Sequence, residues 1–180
     1  MPNVYYSTQH HAIFAVDAGG GLGNNGGLPW PNDSEDLRRF KQITTNNIVV
    51  MGRKTWDSLG DRKPLKNRIN IVVSRCPCWE TVDNVKPDAI ITPSDFFESI
   101  VTLHDEHPDK EIYFIGGKQV LELAHPIIND IQLTVFNNTY DCDVSLDMAT
   151  YLKQFKQTDT QLLENKQYQV WTRKNGTISR

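Results

Sequence analysis

The chain is poor in cysteine, has no long apolar run and carries no surplus of positive charge. Each shortage removes a class of function. Three cysteines stand among 180 residues. Cys76 and Cys78 flank a proline and Cys142 is alone, which is no disulfide framework. A two-cysteine cluster without a second half is not a zinc site either, so no metal centre is expected. A reducing cytoplasm is the expected compartment, and Cys76 and Cys78 are expected to be incidental. No segment approaches the length of about 20 apolar residues that crosses a bilayer, and the N-terminus lacks a charged-then-apolar signal pattern. A net charge of −3 argues against a broad surface for nucleic acid or anionic membrane. No repeat, low-complexity tract or linker divides the chain, so a single domain over 1–180 is expected, long enough to bury a core.

What is present reads as strands alternating with helices. Residues 12–16, 47–51, 68–74, 89–91, 111–115 and 130–136 are short, largely apolar runs, most of them bounded by polar or turn-forming residues, as buried strands are. Runs at 162–163 and 168–173 lie close enough to predict a closing antiparallel hairpin. Helices are predicted over 33–44 and 53–59, from 92 onward and through about 123 after Gly116-Gly117. Thr92 caps the third of these, Pro93 takes its first position and Asp95 completes a capping box. Phe97, Ile100, Val101 and His104 give it an apolar stripe, with His104 a packing residue at the boundary. The polar stretch 137–157 is expected to be loop with a helical turn. This alternation argues an α/β fold: three layers, a mostly parallel eight-stranded sheet with an antiparallel C-terminal edge, and helices on both faces. Ligands of such sheets bind beyond the carboxyl ends of the strands.

The most informative segment is Leu28-Pro29-Trp30 with the helix after it. Leu37, Phe40 and Ile43 recur at helical spacing, and Asp36 borders that apolar face at the end nearest the loop. Two readings stay open. Asp36 is either the partner of an Asp33 N-cap, or a carboxylate in apolar surroundings that acts as an acid or ligand anchor. The preceding loop holds six glycines between Gly19 and Gly27. Gly21-Leu22-Gly23-Asn24-Asn25-Gly26 matches a dinucleotide fingerprint, but Pro29 and Pro31 forbid the helix which that motif requires. A long glycine-rich loop suits close approach of a ligand instead.

Three strand ends suit phosphate. Ile115-Gly116-Gly117-Lys118-Gln119 opens a helix with free N–H groups. Met51-Gly52-Arg53-Lys54-Thr55-Trp56 sets two cations and a hydroxyl at a second helix start, where cations oppose the dipole and an anionic ligand would explain them. Ser74-Arg75 ends a third strand. Each alone is a bland turn. Together they fit a pyrophosphate with an extra ribose phosphate, NADP better than NAD.

These pieces, in this order, resemble the dihydrofolate reductase family. The match runs through Ala15, Gly23, Gly26, Leu28-Pro29-Trp30, Asp36-Leu37, Phe40-Lys41, residues 50–60, Pro64-Leu65, Arg68, residues 71–74, residues 114–117 and Leu133-Thr134, nearly the whole chain. The Leu-Pro-Trp and Met-Gly-Arg segments are its specific parts. The resemblance implies reduction of 7,8-dihydrofolate to tetrahydrofolate with NADPH, in a monomer that binds antifolate inhibitors. It implies Asp36, Trp30 and Thr134 as the catalytic group. Asp36 would hold the pterin's amino group and ring nitrogen and support its protonation; Thr134 would hydrogen-bond that carboxylate, and Trp30 would help hold a water. Ile13 and Ile115 would offer carbonyls to the pterin. Leu28, Leu37, Phe40, Leu59 and Leu65 would wall the pocket, and Arg68 would pair with the glutamate tail. For the cofactor, Ala15, Leu22, Gly23, Asn25, Gly27 and Leu28 would meet the nicotinamide end. Gly116, Gly117, Lys118, Gln119 and Val120, with Ile115 beside them, would take the pyrophosphate. Arg53, Lys54, Ser74 and Arg75 would take the adenosine phosphate, with Gly52 and Thr55 at the same helix start.

Some positions depart from the family pattern. Leu121 stands where a tyrosine commonly touches the nicotinamide. Lys66-Asn67 replaces the usual pair before Arg68, and the 61–63 stretch is longer than in short bacterial members. The loop around Asp143 resembles the partner loop that steadies the lid, and Gly19-Gly20-Gly21 predicts an unusually mobile lid. Two alternatives share the fold: a reductase of a riboflavin-pathway intermediate, and a catalytically retired folate- or nucleotide-binding module. Leu28-Pro29-Trp30 and the spacing of Asp36 argue against the first; Asp36, Thr134, Trp30 and Arg68 together argue against the second.

Overall fold

The computed structural model describes residues 10–78 and 83–174. The elements follow as β1 (His10–Val16), β2 (Gly21–Gly23), α1 (Ser34–Thr44), β3 (Ile48–Gly52), α2 (Arg53–Ser58), β4 (Ile69–Val73), β5 (Ala89–Ile91), α3 (Phe96–Glu106), β6 (Ile112–Gly116), α4 (Lys118–Ala124), β7 (Asp130–Phe136), β8 (Val144–Ser145), α5 (Met148–Tyr151), β9 (Phe155–Leu162) and β10 (Lys166–Arg173). Among the described residues no helix is long and apolar enough to cross a membrane.

Side-chain alternation explains why the strands read as continuously apolar. Along β3, Val49 and Met51 join Ile13, Trp56, Leu65, Val72 and Tyr113 on one face. Ile48 and Val50 join Ala12, Phe14, Ile71, Ile112 and Phe114 on the other. Both faces are covered, so both parities are apolar. The eight-stranded sheet has the order β5-β4-β3-β6-β1-β7-β10-β9. Its pairs are parallel from β5 through β7, and β10 runs antiparallel to both β7 and β9. The expected mostly parallel sheet with an antiparallel C-terminal edge is the one observed. A second, two-stranded ribbon of β2 and β8 lies within stretches expected to be loop.

Two expectations need correction. The closing hairpin is longer than expected: β9 starts at Phe155, and Leu163 lies beyond it. Every β9 residue after Phe155 is exposed, so no alternation marks the strand. In α3 the apolar stripe is rotated. Thr92 and Asp95 form the expected capping box, but it heads a 3-10 turn over Pro93–Asp95. The helix then buries Phe96, Ile100, Leu103 and His104, while Phe97 and Val101 are 47% and 42% exposed. Both stripes satisfy the helical period. Packing of Phe96 on Phe114, with ring centroids 5.8 Å apart, selects the phase. His104 is a buried packing residue whose ring meets that of His10 at 4.6 Å and shares a hydrogen bond with it.

Candidate active site

The cap reading of Asp36 is half right. Asp33 is the N-cap of α1, and its Oδ1 accepts the Asp36 N–H at 2.9 Å. The Asp36 carboxylate turns instead to β7, where Thr134 Oγ1 donates to its Oδ1 at 2.7 Å. Thr134 is buried and stands opposite Ala15 of β1 in the sheet register. Burial raises the Asp36 pKa above the usual carboxylate range; the Thr134 hydroxyl opposes that rise, nearby Asp33 adds to it, and Arg39 and Lys166 work against it. Ile13, Phe40, Leu59, Leu65 and Ile115, all predicted pocket residues, share one apolar cluster. Leu37 and Phe40 are only partly buried, as residues facing a cleft are. Trp30 is buried against Phe136, ring centroids 4.6 Å apart.

Arg68 is held by Thr44 Oγ1 at 3.1 Å and the Lys66 carbonyl at 3.0 Å, with its guanidinium 5.8 Å from the Phe40 ring. Thr44 ends α1 and Asp36 opens it. At 1.5 Å rise per residue Asp36 and Thr44, the residue that holds Arg68, lie roughly 12 Å apart along α1. A ligand with a polar ring at one end and an anion at the other fits that span.

The three phosphate-suited turns are neighbours, because β4, β3 and β6 are consecutive in the sheet. Met51 pairs with Gly116. A Cβ on Gly117 would lie 3.7 Å from Thr55 Oγ1, and one on Gly52 would lie 3.8 Å from the Gly117 nitrogen. The two glycine turns therefore pack side by side. Gly116 has φ +115°, open to glycine alone at little cost. Arg53, Lys54, Arg75 and Gln119 are exposed on this rim. Arg53 reaches Asp57 at 3.9 Å and Lys118 reaches Glu122 at 4.0 Å. The Ser74 hydroxyl is folded into its own turn, accepting the Cys76 N–H at 3.2 Å. Val120 and Leu121 are core side chains, and Val120 packs beneath the Gly52 turn, where a Cβ would lie 3.5 Å from its Cγ2.

Gly19-Gly20-Gly21 departs from the expected mobile lid. A Cβ on Gly20 would fall 2.5 Å from the Leu146 carbonyl oxygen, and one on Gly21 would fall 2.2 Å from Cys142 Sγ and 2.9 Å from Asp17. These glycines serve close packing. Asp17 organises them: Oδ1 accepts the N–H groups of Gly19 (2.9 Å) and Gly21 (2.8 Å), and Oδ2 accepts that of Tyr140 (2.8 Å). Burial alone would raise its pKa, but these donors outweigh it and hold the carboxyl below its ordinary value. Farther out, Asn25 N–H donates to Asp143 Oδ2 at 2.9 Å and Asp143 N–H to the Gly23 carbonyl at 3.0 Å. The Asp143 loop thus meets the lid, as the resemblance implied. Leu22 packs on the core, while Gly26, Gly27 and Leu28 are exposed, Leu28 at 57%.

Sequence reasoning passed over Asp17 and Lys166. A carboxylate directly before a glycine run was a signal for the first. Period-two alignment with Tyr168 was a signal for the second, since both point to the buried face of β10.

A partly buried acid at the edge of an apolar cleft, beside glycine turns and cations suited to a nucleotide, defines an α/β enzyme acting on a small molecule. Residues 10–175 match the dihydrofolate reductase family. The chain is 32% identical over 147 residues to dihydrofolate reductase type 8 of Escherichia coli, covering 82% of this chain and 85% of that protein. It is 39% identical over 117 residues to dihydrofolate reductase of Mycobacterium leprae (strain TN), 64% of each chain. It is 34% identical over 170 residues to the bifunctional dihydrofolate reductase-thymidylate synthase of Paramecium tetraurelia, of whose length it spans 34%. The chain belongs to the dihydrofolate reductase family and is an oxidoreductase of that family.

Proposed function

We propose that this chain reduces 7,8-dihydrofolate to 5,6,7,8-tetrahydrofolate with NADPH as the reductant, and that Asp36 supports protonation of the pterin. The observation that carries this reading is a partly buried carboxylate oriented by Thr134 at 2.7 Å, on the helix whose Phe40 packs with Ile13, Leu59 and Leu65. One oxygen is oriented by the threonine, so the carboxylate is preset to accept the pterin's amino and ring N–H groups. Exclusion of water strengthens those bonds and makes the proton easier to hold. Trp30, packed on Phe136, would fix a water that relays the proton. Ile13 and Ile115 would present carbonyls, and Arg68 would take the carboxylate of the tail.

The adjacent glycine turns leave room for a pyrophosphate. Gly116, Gly117, Lys118, Gln119 and the Val120 backbone would hold it. Arg53, Lys54, Ser74 and Arg75, with Gly52 and Thr55, would take the adenosine phosphate. Ala15, Leu22, Gly23, Asn25, Gly27 and Leu28 would meet the nicotinamide end. NADPH, when bound, supplies the hydride. A cytoplasmic monomer sensitive to antifolates is part of the same reading.

The test is NADPH consumption with dihydrofolate by the wild type and by Asp36→Asn. The variant is expected to lose kcat/KM by on the order of 10²- to 10⁴-fold at neutral pH, less at low pH where substrate arrives protonated. Folded wild type that consumes no NADPH overturns the reading.

A further inference from the structure

Three carboxylates crowd the first turn of α1: Asp33, Glu35 and Asp36. Directly behind them lies a cation that neither the cap nor the proposed chemistry has used. Lys166, the first residue of β10, is 2% exposed. Its ammonium donates to Asp33 Oδ2 at 2.9 Å and to Asn165 Oδ1 at 3.1 Å, and lies 3.6 Å from Glu35 Oε2. The other Asp33 oxygen accepts the Asp36 N–H. A continuous chain of polar contacts therefore runs from Lys166 through Asp33 to the backbone of Asp36. Lysine is almost never fully buried unless paired, and burying an ion is costly. Capping alone does not call for it, since helix N–H groups and the dipole already stabilise an N-cap carboxylate.

Strand register ties the same cation to the site. Tyr168 pairs with Thr134, and Lys166 shares its face of β10. The groups facing Asp36 are the N-cap Asp33, Arg39 on α1, Thr134 on β7, and Lys166 and Tyr168 on β10, with Glu35 of α1 beside the Lys166 ammonium. Arg39 stacks over the Tyr168 ring at 4.2 Å. Glu35 is exposed, so the less exposed pair of charges behind Asp36 is buried Lys166 with partly buried Asp33.

We propose that Lys166 is a positioning residue of this site: it clamps the first turn of α1 onto β10 and supplies the buried positive charge that lets Asp36 stand beside two other carboxylates. This rests on the reading of Asp36 as the group that supports protonation. Burial would push the lysine's pKa down, but the Asp33 carboxylate outweighs it, so the ammonium stays charged. Removing it leaves a partly buried anion uncompensated, and Asp36, or a pterin nitrogen facing it, then keeps its proton to higher pH. Removing the Asp33 charge while keeping the cap has the opposite sign, because asparagine caps a helix as well as aspartate does.

The test compares Lys166→Met, Lys166→Arg and Asp33→Asn with the wild type. Carbon-13 NMR titration follows the Asp36 carboxyl in the protein without substrate, its signal assigned with Asp36→Asn. The pH profile of dihydrofolate reduction is measured alongside. Lys166→Met is expected to move the Asp36 midpoint up, Asp33→Asn to move it down, and Lys166→Arg to restore it. The reduction profile should shift in the same directions. A purely structural role does not move the midpoint in opposite senses. Unmoved midpoints, or two shifts of the same sign, overturn the proposal. Should Lys166→Met fail to fold, the milder Lys166→Gln decides: an unmoved or lowered midpoint overturns it, and a raised one sustains it. If midpoints shift as expected while no variant and no wild type consumes NADPH with dihydrofolate, Lys166 keeps its role and the functional reading fails.

Discussion

At the scale of single residues, the direction in which one side chain turns decides its role. Asp36 was visible in the chain as a carboxylate bordering an apolar face. Its choice between capping and chemistry was not, because both roles occupy the same helical position; the hydroxyl of Thr134, 98 residues away, settles its orientation. Lys166 was passed over for another reason: its alignment with Tyr168 was legible, but a charged residue in a strand argues for solvent unless its partner is known. Away from the site, His10 and His11 pull stability in opposite directions. Burial first, and then the neighbouring His104, push the His10 pKa down to about 4. The unfolded chain binds that proton near pH 6.5, so the folded state loses stability as pH falls from about 6.5 toward 4. For His11, burial lowers the pKa, but Asp130 at 2.6 Å and Glu111 outweigh it and hold it above its usual value. Its contribution is present below pH 6.5 and fades as pH rises through the raised value. Thermal unfolding from pH 7 to pH 4 is expected to show a falling midpoint, and His10→Gln to flatten the upper part of that fall. A variant as acid-sensitive as the wild type over that window would assign the loss to other groups.

Among the elements, the lid shows how one residue type serves two ends. Glycine density predicted movement throughout, yet the run at 19–21 is packed against Leu146, Cys142 and Asp17, and only the outer turn near Gly26 stands clear. Gly20 adopts φ +83° with no space for a Cβ, whereas Gly26 adopts φ +78° with nothing within 4 Å. Gly20→Ala is therefore expected to destabilise the fold by about 1–3 kcal/mol, read as a lower thermal midpoint, and Gly26→Ala by less. Equal losses would mean that dihedral strain alone, without the close contact, sets the cost. The phase of α3 and the length of β9 escaped sequence reading for related reasons. Two stripes of α3 share one period, and an exposed strand such as β9 carries no alternation to read.

For the whole molecule, the sheet is the organising object. Clusters on its two faces share β1, β3, β4 and β6, so neither face can melt without the other. Phe114, fully buried in the middle of β6, tests this. Phe114→Ala is expected to cost about 3–5 kcal/mol, a large part of the roughly 5–15 kcal/mol that holds a domain together. Urea unfolding followed by circular dichroism and by tryptophan fluorescence should shift by the same amount with both probes; separated transitions would show that the faces unfold independently. The positions of most strands and helices, the apolar face of α1 and the acid at its edge were legible in the chain, because period-two and 3.6-residue spacing are local properties. The meeting of the turns at Gly52, Ser74 and Gly116 in one layer, the turn of Asp36 toward Thr134 and the burial of Lys166 were decided only by which strands lie beside which. Strand neighbourhood follows from packing between residues far apart in the chain, and no local period encodes it.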